Sequence, residues 1–420
     1  MSTSTWVPVP EGSDFPVQNL PYGVFSGAGE ARRVGVAIGE YVLDLAGLAG
    51  AGAFDAVEGS AAGAPGVLEW FAAGSLNAFM AAGPEAWRGV RAAVTGVLTS
   101  PEHRAQAGQY LIPAESVRLH MPFEVADYAD FYSSRDHAEN VGRIFRPDGE
   151  PLAPNWLYMP VGYHGRAGTV VVSGTPVKRP RGQRKLQGGP GADGAPSFGP
   201  AAKLDVEAEV GFVAGMPSAP GQPVPPGSFH EYVFGFVLVN DWSARDIQTW
   251  ESRPLGPFLS KSFATSVSPW VVPVEALQAA RVPPPRQDPQ PPDHLRCGEP
   301  WGLDLALEVE LNGHVVARPP FASMYWTPPQ QLAHATSNGA ALRTGDLFAS
   351  GTVSGPRRDQ RGCLLELTWD GREPLELPDG TTRAFLADGD VVRIRATAPG
   401  ADGSRIGFGD VTGTITPAQP

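Results

Sequence analysis

Apolar and polar positions alternate along much of the chain, and the character of that alternation changes near residue 118. Before it, residues 32–45 place Val34, Val36 and Ile38 on one side of a stretch punctuated by Gly35 and Gly39, which predicts a hairpin. Two helically phased stretches follow, 65–82 and 84–99, the second opening on a proline suited to a first helical turn. After residue 118 short strands separated by Gly/Pro turns are expected at 169–172, 204–213, 233–239, 303–310, 364–369, 391–397 and 405–409. Helical phasing returns only after Ser133, after Asp241 and over 328–336. The segments 181–200 and 283–294 are too rich in proline and glycine for regular structure, and loops of that length in a compact domain are usually covers or subunit contacts. The pattern predicts a mainly β chain with some helix, divided into a mixed N-terminal domain, 1–118, and a larger domain, 119–420.

Length supports the division, since 420 residues exceed what one ordinary core accommodates. The net charge of -12 argues against nucleic acid as a partner, because phosphate binding needs a surplus of Lys and Arg. An anionic substrate stays open, since a local group of arginines overrides the global sign. Only Cys297 and Cys363 occur, with neither metal-ligand nor redox spacing, so a reducing compartment is expected. Residues 1–15 lack the basic flank and apolar stretch of a secretion signal, and no apolar run approaches the span of a bilayer. The expectation is a cytoplasmic protein with no membrane partner.

Candidate chemistry concentrates in carboxylates. Asp205, Glu207 and Glu209 share one face if 204–213 is a single strand, with Val206, Ala208 and Val210 on the other. Such a row is either a solvated outer face or a cation site. Asp241 closes an apolar run and Asp130 lies in an aromatic, acidic stretch, so Asp130, Glu207, Glu209 and Asp241 form an all-oxygen set suited to Ca²⁺, Mg²⁺ or Mn²⁺ rather than zinc or copper. After Asp241, a short helix capped by Asp241 or Ser243 puts Arg245 and Gln248 on one face, either aimed at the metal region or simply exposed. Lys261 has uncharged, partly apolar neighbours, which suits a buried lysine with a partner or a snorkelling surface one. Ser133 is placed as the cap of the next helix, with His137 in its first turns as a structural histidine or a general base. The turn 350–355 offers amides and hydroxyls to a carboxylate, or is only a hairpin turn. Glu366, an acid among leucines, needs a partner, and orienting a histidine is one such role. Gly407 and Gly409 precede no crossover unit, and His230-Glu231 lacks a second histidine, so neither carries a cofactor reading.

The stretches Asp130-Phe-Tyr-Ser-Ser-Arg-Asp-His137, Pro160-Val-Gly-Tyr-His-Gly-Arg166, Asn240-Asp-Trp-Ser-Ala-Arg-Asp-Ile-Gln248 and Ala349-Ser-Gly-Thr-Val-Ser-Gly355 resemble the fumarylacetoacetate hydrolase family, in its two-domain fumarylacetoacetase branch. The resemblance runs nearly end to end. It implies an SH3-like β-barrel domain followed by a β-roll catalytic domain, a homodimer, and hydrolysis of the diketo acid 4-fumarylacetoacetate to fumarate and acetoacetate. Carried over by position, it implies Asp130, Glu207, Glu209 and Asp241 as metal ligands, and His137 as general base oriented by Glu366. Arg245, Gln248 and Lys261 would stabilise the oxyanion and the departing carbanion. Tyr132, Arg146, Tyr163 and Thr352 would hold the substrate together with Arg245 and Gln248, and Lys261 and Thr265 would lie near a second, structural Mg²⁺. Where the family usually has a tyrosine this chain has Ser252, which alters one contact to the fumaryl end and not the expected reaction. Two other readings use the same residues: another reaction on a dioxo acid, such as acylpyruvate hydrolysis or decarboxylation, and a non-catalytic metal or metabolite binder.

Overall fold

A computed structural model describes residues 4–55, 57, 66–185 and 195–419. Its N-terminal part starts as the apolar pattern dictates: Arg33–Ile38 and Tyr41–Asp44 pair antiparallel through a two-residue turn led by Gly39, whose φ of +56° suits a residue without Cβ. Pro84–Thr99 is a single helix with its proline in the first turn and Ala86, Trp87, Val90, Val94 and Leu98 buried along one stripe. The stretch expected as one helix over 65–82 is two, Val67–Ala72 and Asn77–Met80. Ala73 is extended at the break, and Gly74 and Ser75 follow it, a pair with weak helix preference. Pro65, the expected start, lies outside the described residues.

The N-terminal strands are not a separate sheet. Tyr22–Ser26 pairs with Arg33–Ile38, with Arg118–His120, and also with Trp270–Pro273. From there the sheet continues through Val233–Asp241, Ala208–Ala214, Leu347–Ala349, Tyr128–Phe131 and Gly162–His164. One core therefore joins Val24, Val36, Phe79 and Val90 to Val237, Val239, Val271 and Leu347. Val233–Asp241 is buried along its whole length, because its other face supplies Phe236 and Leu238 to a second core with Leu307, Val309, Ile394 and Phe408. That second core is closed by a five-stranded sheet built around Ala306–Leu311, Val391–Pro399 and Arg405–Thr416. Val391–Pro399 alternates between buried and wetter positions, as a strand with one solvated face does.

The chain is mainly β with some helix, as expected, and the differences are local. The stretch 204–213 divides into Leu204–Asp205 and Ala208–Ala214, with Val206 and Glu207 between. The strand expected over 303–310 divides into Gly302–Leu303 and Ala306–Leu311, and that over 405–409 extends to Thr416. The stretch 364–369, expected as a strand, holds a helix, Leu364–Leu367. A short apolar run fits either structure, and here the Asp205 carboxylate accepts the Leu364 and Leu365 amides at 2.7 and 3.0 Å, which starts a helical turn. The ends of the 181–200 segment are regular, Arg181–Arg184 pairing with Ser197–Pro200, while 186–194 lie outside the described residues. In 283–294, regular structure appears only as a short turn of helix, Asp293–Leu295, and the Gln287 amide ties the loop to the Tyr325 carbonyl at 2.7 Å.

Candidate active site

Three strands of the same sheet and one connecting residue converge on a buried acid cluster. Asp130 stands in Tyr128–Phe131 beside Ala349, Glu209 in Ala208–Ala214, and Asp241 at the end of Val233–Asp241; Glu207 fills the break before Ala208. One carboxylate oxygen from each of the four lies within 4.8 Å of all the others, and all four residues are buried. Burial and the neighbouring Asp241 push Asp130 up to about 8, and burial and Asp130 hold Glu209 well above the ordinary carboxylate range. Glu209 Oε1 is buried without a hydrogen-bond partner. Gathered hard oxygens with a spare buried lone pair fit a divalent cation of the Ca²⁺ or Mg²⁺ kind.

The cluster's other contacts fix its shape. The Gly351 amide donates to Asp130 Oδ1 at 3.1 Å and to Glu209 Oε2 at 3.2 Å. Only glycine suits that position, since its φ is +77° and a Cβ would sit 2.2 Å from the Phe131 carbonyl oxygen. Asp241 accepts from Lys261 Nζ at 2.8 Å, Thr265 Oγ1 at 2.9 Å and Tyr163 Oη at 2.7 Å. Lys261 Nζ also donates to Glu207. Burial alone would raise Glu207, but Arg245 and Lys261 outweigh it and hold that carboxyl below its usual range. The same two acids, Asp241 and Glu207, keep the buried Lys261 charged.

His137 lies on the helix Arg135–Phe145 with its ring buried. The cap of that helix is Ser134, whose hydroxyl accepts the His137 amide, and not Ser133, whose hydroxyl instead accepts from Gln331 at 2.8 Å. Nδ1–H of His137 donates to Glu366 Oε2 at 2.6 Å, and Nε2 faces Glu207 Oε1 at 4.0 Å. Glu366 also accepts from Asn140 at 2.8 Å, from Ser354 Oγ at 2.8 Å and from Cys363 Sγ at 3.2 Å. Burial would push its carboxyl up, yet His137 and these donors bring it down to about 2. A carboxylate that stays ionised fixes the imidazole tautomer and leaves Nε2 as the proton acceptor.

Arg245 opens the helix Arg245–Glu251, and the cap position is Ala244, so neither Asp241 nor Ser243 caps it. Its Nε donates to Asp205 at 2.8 Å, its Nη2 to Glu207 at 2.7 Å and its Nη1 to Gln248 Oε1 at 3.1 Å. Asp205 therefore does not join the acid face expected from strand alternation: the break at 206–207 turns it toward Arg245 and the Glu366 helix. A cavity of about 660 Å³ opens on Asp130, His137, Glu207, Glu209, Arg245 and Lys261. Tyr132, Arg146, Tyr163, Gln248 and Thr352 also line it, so most of the expected site faces one space. Asp241, Thr265 and Glu366 do not line it: Asp241 lies behind Tyr163 and Lys261, Thr265 bonds to Asp241, and Glu366 acts through His137. The Tyr132 ring meets the His137 ring edge-on at 5.2 Å, and Thr352 Oγ1 is buried without a partner.

Asp205, Asn140, Ser354 and Gly351 complete the site without having been singled out for these roles. Asn140 was within reach of sequence reasoning, since it lies one turn beyond His137 on the same helix. Ser354 and Gly351 belong to a turn already expected to receive a carboxylate. The role of Asp205 depends on a strand break that alternation does not reveal.

Residues 127–416 match the family described as fumarylacetoacetate (FAA) hydrolase C-terminal, and 18–122 match fumarylacetoacetase N-terminal. The chain is 46% identical over 430 residues to fumarylacetoacetase of Homo sapiens, covering 99% of each chain. It is 46% identical over 429 residues to that of Caenorhabditis elegans and 43% identical over 428 residues to that of Arabidopsis thaliana, again covering 99% of each chain. Among solved structures, it resembles a fumarylacetoacetate hydrolase from Exiguobacterium antarcticum with a TM-score of 0.53 at 17% identity, over 95% of this chain and 100% of that one. At that identity the likeness concerns the fold.

Proposed function

The chain belongs to the fumarylacetoacetase family, and from that premise we infer how it hydrolyses 4-fumarylacetoacetate to fumarate and acetoacetate, a reaction of tyrosine catabolism. The observation that carries the mechanism is the buried His137–Glu366 pair at 2.6 Å, set beside the acid cluster.

Asp130, Glu207, Glu209 and Asp241 would hold a divalent cation, Ca²⁺, Mg²⁺ or Mn²⁺. When bound, it supplies Lewis acidity to the 1,3-diketone and a positive charge beside the enolate that leaves. His137 Nε2 takes a proton from water, and the oxygen attacks the carbonyl next to the fumaryl carbons. Collapse of the tetrahedral oxyanion breaks the carbon–carbon bond. The electron pair leaves with acetoacetate, whose carbon recovers the proton held by His137. Arg245 is charged and fixed by Asp205 and Glu207, so it faces developing negative charge without reorganising. Because Gln248 Oε1 accepts from Arg245, the Gln248 amide N–H groups remain to donate into the cavity. Lys261 adds a third donor, this one positively charged, and Tyr132, Arg146, Tyr163 and Thr352 hold the rest of the diketo acid. A second, structural Mg²⁺ would lie near Lys261 and Thr265, and metal analysis of the purified chain distinguishes one ion from two. A homodimer in the cytoplasm is proposed on the family resemblance alone, and light scattering tests the oligomer.

Turnover in ¹⁸O-labelled water tests the mechanism. One label in the new carboxylate of fumarate is expected, with none placed by the cleavage on acetoacetate, whose new methyl group gains only a proton. Carbon dioxide as a product, or pyruvate from an acylpyruvate at a higher kcat/KM, would favour the other dioxo-acid reactions, which full-length kinship does not favour.

A further inference from the structure

The substrate carries a carboxylate at each end, and the cavity holds two cations that the acid cluster does not claim. Among the described lining residues the cations are Arg146, Arg245, Arg253 and Lys261. Arg245 and Lys261 are committed to Asp205, Glu207 and Asp241. Arg146 follows the His137 helix and donates to the Pro151 carbonyl at 2.7 Å. Arg253 is exposed at the mouth and makes no hydrogen bond or ion pair among the described residues.

We propose that Arg253 receives the carboxylate on the fumaryl side of the substrate, and so makes the enzyme selective for diketo acids with a charge at both ends. The inference rests on the substrate assigned above, and three features of the chain carry it. The first is direction. Gln248, a donor toward the attacked carbonyl, lies on the helix Arg245–Glu251, and Arg253 follows the C-cap of that helix, Ser252. The trans double bond holds the fumaryl carboxylate roughly 4 Å from the attacked carbon. Gln248 and Arg253 both line the cavity, separated by about 7.5 Å at a helical rise of about 1.5 Å per residue, a gap that an arginine side chain reaches across.

The second feature is preorganisation. The Glu251 carboxylate gathers the amides of Phe258, Leu259 and Ser260 at 2.8, 3.0 and 2.8 Å, and the Ser260 hydroxyl at 2.5 Å. The Gly256 amide donates to the Ser252 carbonyl at 2.7 Å. The loop that bears Arg253 is thus pinned at both ends. The third is that, among the described residues beside Arg253, no other charged donor competes for the carboxylate. Ser252 gives its hydroxyl to the Gln248 carbonyl, and the neighbouring rim is Val141, Phe145, Leu255 and Pro257. In a chain of net charge -12, a free arginine at the mouth also draws in a dianion.

The test compares two substrates. 3,5-Dioxohexanoate keeps the 1,3-diketone and the acetoacetate carboxylate but ends its acyl side in a methyl group. In Arg253→Gln the ratio of kcat/KM for 4-fumarylacetoacetate to that for 3,5-dioxohexanoate should fall on the order of tenfold, chiefly through KM. Arg253→Lys should recover part of it, since a point charge replaces a bidentate fork. The wild-type KM for the dicarboxylate should also rise with salt more steeply than that of Arg253→Gln. An unchanged ratio in Arg253→Gln, whether both rates fall together or neither moves, overturns the proposal. A folded, metal-replete wild-type enzyme that turns over only the monocarboxylate defeats the substrate assignment itself, and with it this role.

Discussion

Glu366 has no exposed surface and lies among leucines, yet His137, Asn140 and Ser354 keep its carboxyl at about 2. The shift links catalysis to stability. A folded pKa below the unfolded value contributes stability that is present above the unfolded value, 4.5, and is lost as pH falls through about 2. The contribution is on the order of 3 kcal/mol. Glu366→Gln should therefore flatten the acid limb of a stability–pH curve between those limits. It should also lower kcat by roughly 10²- to 10⁴-fold, because the imidazole loses the partner that fixes its tautomer. An unaltered acid limb would mean that Glu366 is not the carboxylate held down by His137. His137→Ala should lose a comparable factor in kcat while retaining its metal, as read by metal analysis of the purified variant. Normal turnover in that variant would remove His137 from the mechanism. These side chains were legible in the sequence because a buried acid needs a partner and oxygen ligands group by type. The cap at Ser134 was less so: adjacent serines both satisfy the pattern, and only the fold sends Ser133 to Gln331.

Glu366 reaches His137 from a helix, where residue alternation alone suggests a strand. Leu-Leu-Glu-Leu is compatible with both, and the choice falls to Asp205, a residue far away in sequence that accepts two amides of the turn and the Nε of Arg245. Asp205 thus holds the helix that carries Glu366 and the guanidinium of Arg245 at once. Asp205→Ala leaves Arg245 buried with one acid fewer, an arrangement that costs about 3–5 kcal/mol. Thermal denaturation should show the loss, and kcat should fall further than metal affinity. A variant with wild-type melting and turnover would show that the helix and Arg245 are held by other contacts. Elements with strong periodicity, such as Pro84–Thr99 and Val233–Asp241, stand where the sequence puts them. The strand break at 206–207 could not be read locally, because Glu207 is drawn out of line by Arg245 and Lys261 from later in the chain.

At the scale of the whole molecule, a change in pattern near residue 118 points to two domains, and the sheet and one core run across that point. Val237, Val239, Val271 and Leu347 pack in that shared core from the C-terminal side. Exposing such side chains costs about 1.5–3 kcal/mol each, together comparable with the whole net stability of a domain, about 5–15 kcal/mol. The chain lacking residues 1–121 should consequently fail to give a soluble, cooperatively melting protein. A well-folded, active truncation would show that the N-terminal part is dispensable for the catalytic fold. Long-range pairing such as Tyr22 with Val271 leaves no trace in local periodicity, which is why this continuity was not legible in the sequence.

The acid cluster joins these scales, since strands from distant parts of the chain bring four carboxylates within 4.8 Å of one another around a site that fits a hard cation. The most direct measurement is loss of the diketone absorbance of 4-fumarylacetoacetate by the chelated protein, before and after Ca²⁺, Mg²⁺ or Mn²⁺ is restored. Turnover should vanish with the metal and return with it, yielding fumarate and acetoacetate in equal amounts. A folded protein shown by metal analysis to be free of divalent cations, and still turning over at the undiminished rate, would contradict the account.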